Sequence, residues 1–208
     1  MKNLNTYIHE NTCINEKLVV VHNRYSCAPE TKEELQKILK ERLYQDHDAD
    51  LNDIDVSNIT DMSYLFSDLD PRNIDISKWD VSNVQNMMGI FSNCNKFNSD
   101  LSGWDVSKVE DMYCMFNGCI NFNSDLSRWD VSSAQDMRGM FWGCDCFNSN
   151  LSTWDTSNAK TMMEMFYGCD KFNSDLSDWD VSKVEDMRNM FFGCDSMKEL
   201  PVWYVDHH

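Results

Sequence analysis

From about residue 51 to residue 200 one 25-residue pattern returns six times, and a fold that ignores this period cannot accommodate the chain. Trp79, Trp104, Trp129, Trp154 and Trp179 set the frame. Met62, Met87, Met112, Met137, Met162 and Met187 hold it without a gap, as do Phe66, Phe91, Phe116, Phe141, Phe166 and Phe191. Phe97, Phe122, Phe147 and Phe172 make a further column, and Leu101, Leu126, Leu151 and Leu176 another. A unit this short cannot bury its own apolar face, whereas stacked units bury each other's. A propeller is excluded, because a four-stranded blade needs about 40 residues.

Within a unit the pattern predicts a short helix followed by a short strand. Ser107 and Glu110 have the spacing of a capping box, repeated by Ser82/Gln85, Ser132/Gln135 and Ser182/Glu185. Val109, Met112, Met115 and Phe116 then fall on one helical face. Gly118, Gly143, Gly168 and Gly193, with Asn93, stand where a left-handed helix terminus is wanted. Phe122, Ser124 and Leu126 alternate with Asn123 and Asp125 as in a strand. The fold expected is therefore an α/β solenoid, about six rungs of strand plus helix with the strands in a parallel ladder.

The stretch WDVSKVEDMYCMFNGCINFNSDLSRW, Trp104 to Trp129, closely resembles the repeat of the BspA-like bacterial surface proteins, found also in mycoplasma lipoproteins, and the likeness extends over about 150 of the 208 residues. The resemblance implies a leucine-rich-repeat-like, right-handed solenoid, a surface location, and adhesion or protein binding. It does not imply an enzyme.

Residues 1–50 lack the period and read as an N-terminal cap. Leu18–Val21 resembles a buried strand, and Thr31 with Glu34 opens an amphipathic helix over 31–45 carrying Leu35, Ile38, Leu39 and Leu43. The repeats occupy 51–200. Residues 201–208 form a C-terminal segment whose final His207 and His208 read as a tag remnant. Its Val202-Trp203-Tyr204-Val205 either covers the last rung, pairs with a second molecule as a homodimer edge, or marks a truncated array.

A net charge of −17 opposes contact with phosphate backbones, so nucleic acid is not an expected partner, and basic partners are favoured. No apolar run reaches the length of a membrane span. Met1–Thr12 lacks the apolar core of a secretory leader, which with free thiols favours the cytoplasm, whereas the resemblance implies the cell surface. Of nine cysteines, Cys94, Cys119, Cys144, Cys169 and Cys194 recur at the period and read as buried free thiols, since like residues on stacked rungs do not point at one another. No zinc spacing appears, and no metal or cofactor is expected. The Asp80–Asp180 column and the Asp100, Asp125, Asn150, Asp175 column raise calcium as an alternative to side-chain turns.

Histidines are absent from the clear repeats and no catalytic motif occurs, so the chain is expected not to be an enzyme. The remote alternative is a site at Cys13, His22 and Cys27. The functional candidate is a column that varies: Ser67, Ser92, Asn117, Trp142, Tyr167, Phe192. Three aromatics on successive rungs predict an apolar binding strip, rimmed by Arg138, Glu164 and Arg188, for a protein partner. The competing readings are burial beneath Trp203-Tyr204, rung-to-rung packing, and a scaffold assembling through the C-terminal edge.

Overall fold

The computed structural model describes residues 25–205 apart from Asp68 and Asp70. The strand expected at Leu18–Val21 lies outside them. Two helices occur, α1 (Lys32–Gln45) and α2 (Val202–Val205), and none is long and apolar enough among the described residues to cross a membrane. Between them the chain is a pile of turns.

The expected strand–helix, leucine-rich-repeat-like solenoid is therefore wrong. Among the described residues no unit contains a helix or a strand, and no sheet forms. Successive units are joined by isolated parallel bridges, Asp61 to Asn86, Asp111, Asp136, Thr161 and Asp186 in turn. The segment expected to be helical shows why. Gly89 and Asn93 have φ of 57° and 62°, and the same two positions are left-handed in later units, Cys114 (52°) and Gly118 (71°) for example. Two left-handed residues four positions apart in a unit stop the i to i−4 ladder before a helix can run through this segment. The amides then divide between two partners. Met87, Gly89, Phe91 and Asn93 N–H donate to Asp111, Tyr113, Met115 and Asn117 of the next unit at 2.7–3.0 Å. Ile90, Ser92 and Cys94 N–H donate three residues back, to Met87, Gly89 and Phe91, at 2.9–3.2 Å. Three-residue turns mimic the apolar spacing of a helix, so Val109, Met112, Met115 and Phe116 are all buried although no helix presents them.

The expected strand fails for a different reason. Phe122 and Leu126 do face inward, but side chains, not backbone ladders, join this segment to its neighbours. Asn123 N–H donates to Asn98 Oδ1 at 2.8 Å, and Leu101 N–H donates to Ser124 Oγ at 3.0 Å. Asn148, Asn173, Leu126 and Leu151 repeat these bonds. Ser124→Ala leaves the buried Leu101 N–H without its acceptor and is expected to cost about 1–3 kcal/mol, measured by urea unfolding.

The interior is ordered as columns. Phe91, Phe116, Phe141, Phe166 and Phe191 stack at 5.6–5.7 Å, and within each unit Phe116 lies 4.0 Å from Phe122. Each Trp Nε1–H donates to a carbonyl of the preceding unit, Trp129 to Leu101 at 2.9 Å. Each buried thiol does the same, Cys119 Sγ to Phe91 O at 3.0 Å and Cys144 to Phe116 O at 3.0 Å. A cysteine therefore fills a small site and gives a buried carbonyl a second donor, which alanine could not do. The described cysteines are all free, and burial pushes the Cys119, Cys144 and Cys169 thiols well above their ordinary value, and Cys194 to about 11.

The ends of the pile are covered by the helices. Thr31 Oγ1 accepts from Glu34 N–H at 3.2 Å, while the Glu34 carboxylate reaches back past the cap to Glu30 N–H at 2.9 Å. α1 buries Leu35, Leu39 and Leu43, with Ile38 at the margin, and is tied to the first unit by Lys32–Asp61 (3.5 Å) and Arg42–Asp53 (2.9 Å). At the other end Trp203 stacks on Trp179 at 6.4 Å and donates to Leu176 O at 2.8 Å, taking the place that another unit's tryptophan would hold. Tyr204 meets Phe191 edge-on at 5.0 Å.

Candidate binding surface

Asp-x-Ser tripeptides build the corners of each unit. Asp105 Oδ1 accepts from Ser107 N–H at 3.1 Å, and Asp125 Oδ1 from Ser127 N–H at 3.0 Å. After each aspartate the next residue's carbonyl accepts from the amide three residues on, Val106 from Val109, Leu126 from Trp129 and Thr156 from Ala159. The aspartate columns are thus Asx-turns, and among the described residues no group of three potential ligands is arranged to hold a metal ion. Bonds from Ser107 and Ser182 hold the Asp105 and Asp180 carboxyls below their usual value, and Arg188 brings Asp186 to about 2. Such groups contribute stability that is present above pH 3.8 and lost as pH falls through their lowered values, so acid unfolding is expected between about pH 4 and 2.

A third Asx column escaped the sequence reading: Asp61, Asn86, Asp111, Asp136 and Asp186 accept from the amide two residues on. Asp111 is its costly member. Burial raises its carboxyl, with the Asp136 and Asp61 charges adding to that. A raised carboxyl opposes folding once pH exceeds the unfolded value. Asn86 makes the same turn at 2.9 Å without a charge, so Asp111→Asn is expected to raise Tm at pH 7 and leave it unchanged at pH 3, where both side chains are neutral.

This third column leads into the variable face. After the left-handed position at Tyr64, Gly89, Cys114, Gly139, Glu164 and Asn189 the next two residues turn into the core, and the third belongs to the variable column. Trp142, Tyr167 and Phe192 there form one continuous stack, Trp142 to Tyr167 at 5.6 Å and Tyr167 to Phe192 at 4.9 Å. Trp142 is 39 % exposed and Phe192 61 %. The C-terminal segment caps Trp179 and Phe191 and does not bury the strip.

The two arginines lie beside the strip but are held by their own unit. Arg138 bonds Asp136 through Nε at 3.0 Å and Nη2 at 2.5 Å, and sits 4.9 Å over the Tyr113 ring. Arg188 pairs with Asp186 at 2.7 Å, and its Nη2 approaches Met163 Sδ at 3.7 Å. A pocket of about 340 Å³ opens between Tyr113, Arg138, Trp142, Met163 and Glu164. Tyr113 and Met163 were not picked out from the sequence. Their signal was there, since the column Ser63, Met88, Tyr113, Arg138, Met163, Arg188 varies as freely as the aromatic one. Of the remote N-terminal site, Cys13 and His22 lie outside the described residues. Cys27 is half-buried beside a shallow groove of about 300 Å³ with Glu34, Lys37 and Glu41.

No curated protein and no solved structure matches the chain. A family model described as "Mycoplasma protein of unknown function, DUF285" matches twice, over residues 34–145 and 121–207, and the overlap of the two matches is what a repeated sequence produces. That family is a mycoplasma-type repeat family and does not single out the BspA-like proteins, so the narrower likeness is not carried forward as an identification. The matches together take in more than half of the chain, which is a repeat protein belonging to the family of Mycoplasma proteins of unknown function, DUF285.

Proposed function

We propose that the chain is a non-catalytic protein-binding module whose stacked units hold a variable face rigidly in register, with Trp142, Tyr167, Phe192, Arg138 and Arg188 as the contact residues. The observation that carries this reading is the stack of three aromatic rings whose outer members, Trp142 and Phe192, are exposed and whose middle one, Tyr167, is half-buried. Burying them in a partner would remove apolar area from water, while ordering the rings costs little because the stack already holds them. The arginines, each fixed by a carboxylate, supply a polar rim of defined geometry. BspA-like adhesion would be one use of such a face.

The test compares the wild-type chain with Trp142→Ala/Tyr167→Ala. Both are immobilised, exposed to an extract of the source cells and of their surroundings, and the retained proteins are identified by mass spectrometry. A discrete protein held by the wild type and lost by the variant, at closely similar Tm, supports the reading. Equal retention by both chains removes the strip from it. If the variant fails to fold, the rings belong to the core and the reading is wrong.

A further inference from the structure

We infer that the strip receives a basic segment of its partner, with one lysine or arginine side chain seated in the pocket beside Trp142. This rests on the preceding reading and adds the chemistry of what is bound. Carboxylates that make no ion pair among the described residues flank the strip. Arg138 and Arg188 are each paired with a carboxylate two residues earlier, so they present no net charge to a visitor. Glu164, in the wall of the pocket, is in none of the four ion pairs among the described residues. Nor are Asp145, Asp170 and Asp195, which follow the three ring residues by three positions each, so that their Cα atoms lie within about 11 Å of those of Trp142, Tyr167 and Phe192. Asp170 and Asp195 are exposed. Like charges at the spacing of successive units repel one another, and a cation placed among them relieves that repulsion.

The rings dictate where the cation goes. Tyr167 is covered by a neighbour on each side, so its face is not on offer. A cation prefers a ring face to its edge, and the pocket opens beside Trp142, with walls from three successive units: Asn117 in one, Trp142 in the next and Glu164 in the third. A long basic side chain entering there would lay its methylene stem on Trp142 and Met163 and bring its head to Glu164. The rest of the segment would cross the ring edges towards Asp145, Asp170 and Asp195. A volume of about 340 Å³ leaves room for one such side chain.

Diffuse attraction to a chain of net charge −17 must be separated from seating at the strip. Three labelled octapeptides, alternating Arg-Ser, Leu-Ser and Glu-Ser, are titrated by fluorescence anisotropy at physiological salt. The Arg-Ser peptide is expected to bind, and to weaken tenfold or more with Trp142→Ala/Tyr167→Ala, which leaves the charge unchanged. Glu164→Gln and Asp170→Asn/Asp195→Asn should each weaken it several-fold, whereas Asp100→Asn/Asp125→Asn, removing equal charge elsewhere, should not. Asn150 already makes the same turn at that position, so the control pair keeps its backbone. Equal loss from both aspartate pairs, or binding indifferent to the rings, overturns the inference. So does absence of Arg-Ser binding. Ring-dependent binding of Leu-Ser alone would sink the basic partner and leave the binding surface standing.

Discussion

Phe116→Ala is expected to destabilise the chain by about 3–5 kcal/mol, the range for emptying a buried phenylalanine site. Phe116 is fully buried and in contact with three other phenylalanines, Phe91 and Phe141 at 5.6 Å and Phe122 at 4.0 Å. Its backbone is pinned in both directions, donating to Met140 O and accepting from Cys119 N–H and Cys144 Sγ. The surroundings therefore cannot close on the cavity, which places the cost towards the upper end. For a chain of this size each kcal/mol lowers Tm by about 2–4 °C, so a fall of about 6–20 °C is expected in a thermal melt. A fall below about 3 °C would mean that the phenylalanine columns are not the close-packed interior.

Gly89→Ala should also be severe, for two separable reasons. Gly89 has φ of 57°, where a Cβ costs about 1–2 kcal/mol. That Cβ would also overlap the ring of Tyr64, which lies over it from the preceding unit. Tyr64→Ser in the Gly89→Ala background should recover the overlap and leave the backbone cost. A double-mutant cycle by urea unfolding then gives a coupling of about 1 kcal/mol or more. Strict additivity would show that Tyr64 moves aside freely. The alternation Tyr64, Gly89, Cys114, Gly139 is thus a packing rule in which large and small residues take turns at one strained position.

That column shows what the sequence carried and how it was misread. The period and the buried columns were legible because every sixth of the array repeats the same apolar positions, and these are the buried ones. The conformation between them was not, because three-residue turns and a helix place Val109, Met112 and Met115 at the same spacing. Gly89 and Gly139 were the missed clue. Glycine twice inside a supposed helix, at one register, argues for a left-handed residue there, even though Tyr64 and Glu164 occupy it elsewhere. Likewise Asn123 and Ser124 are poor strand formers, and their recurrence pointed to side chains serving as hydrogen-bonding groups. The aromatic strip was readable from its variation alone. Its pocket was not, because Tyr113 and Glu164 meet Trp142 only across units.

The bonds between units also bear on how the chain reaches this state. They span 23 to 28 residues wherever they occur, from Leu101 to Ser124 and from Trp129 to Leu101. Forming the structure therefore means closing loops of nearly one length, again and again, and the entropy lost at each closure is nearly constant. Once two neighbouring units have docked, each further one adds at the same modest entropic charge and is repaid at once, so growth can begin at any pair and spread. Trp142, Tyr167 and Phe192 come together only when the fourth, fifth and sixth units have all joined, so the aromatic strip needs three docked neighbours and no pair of units can form it.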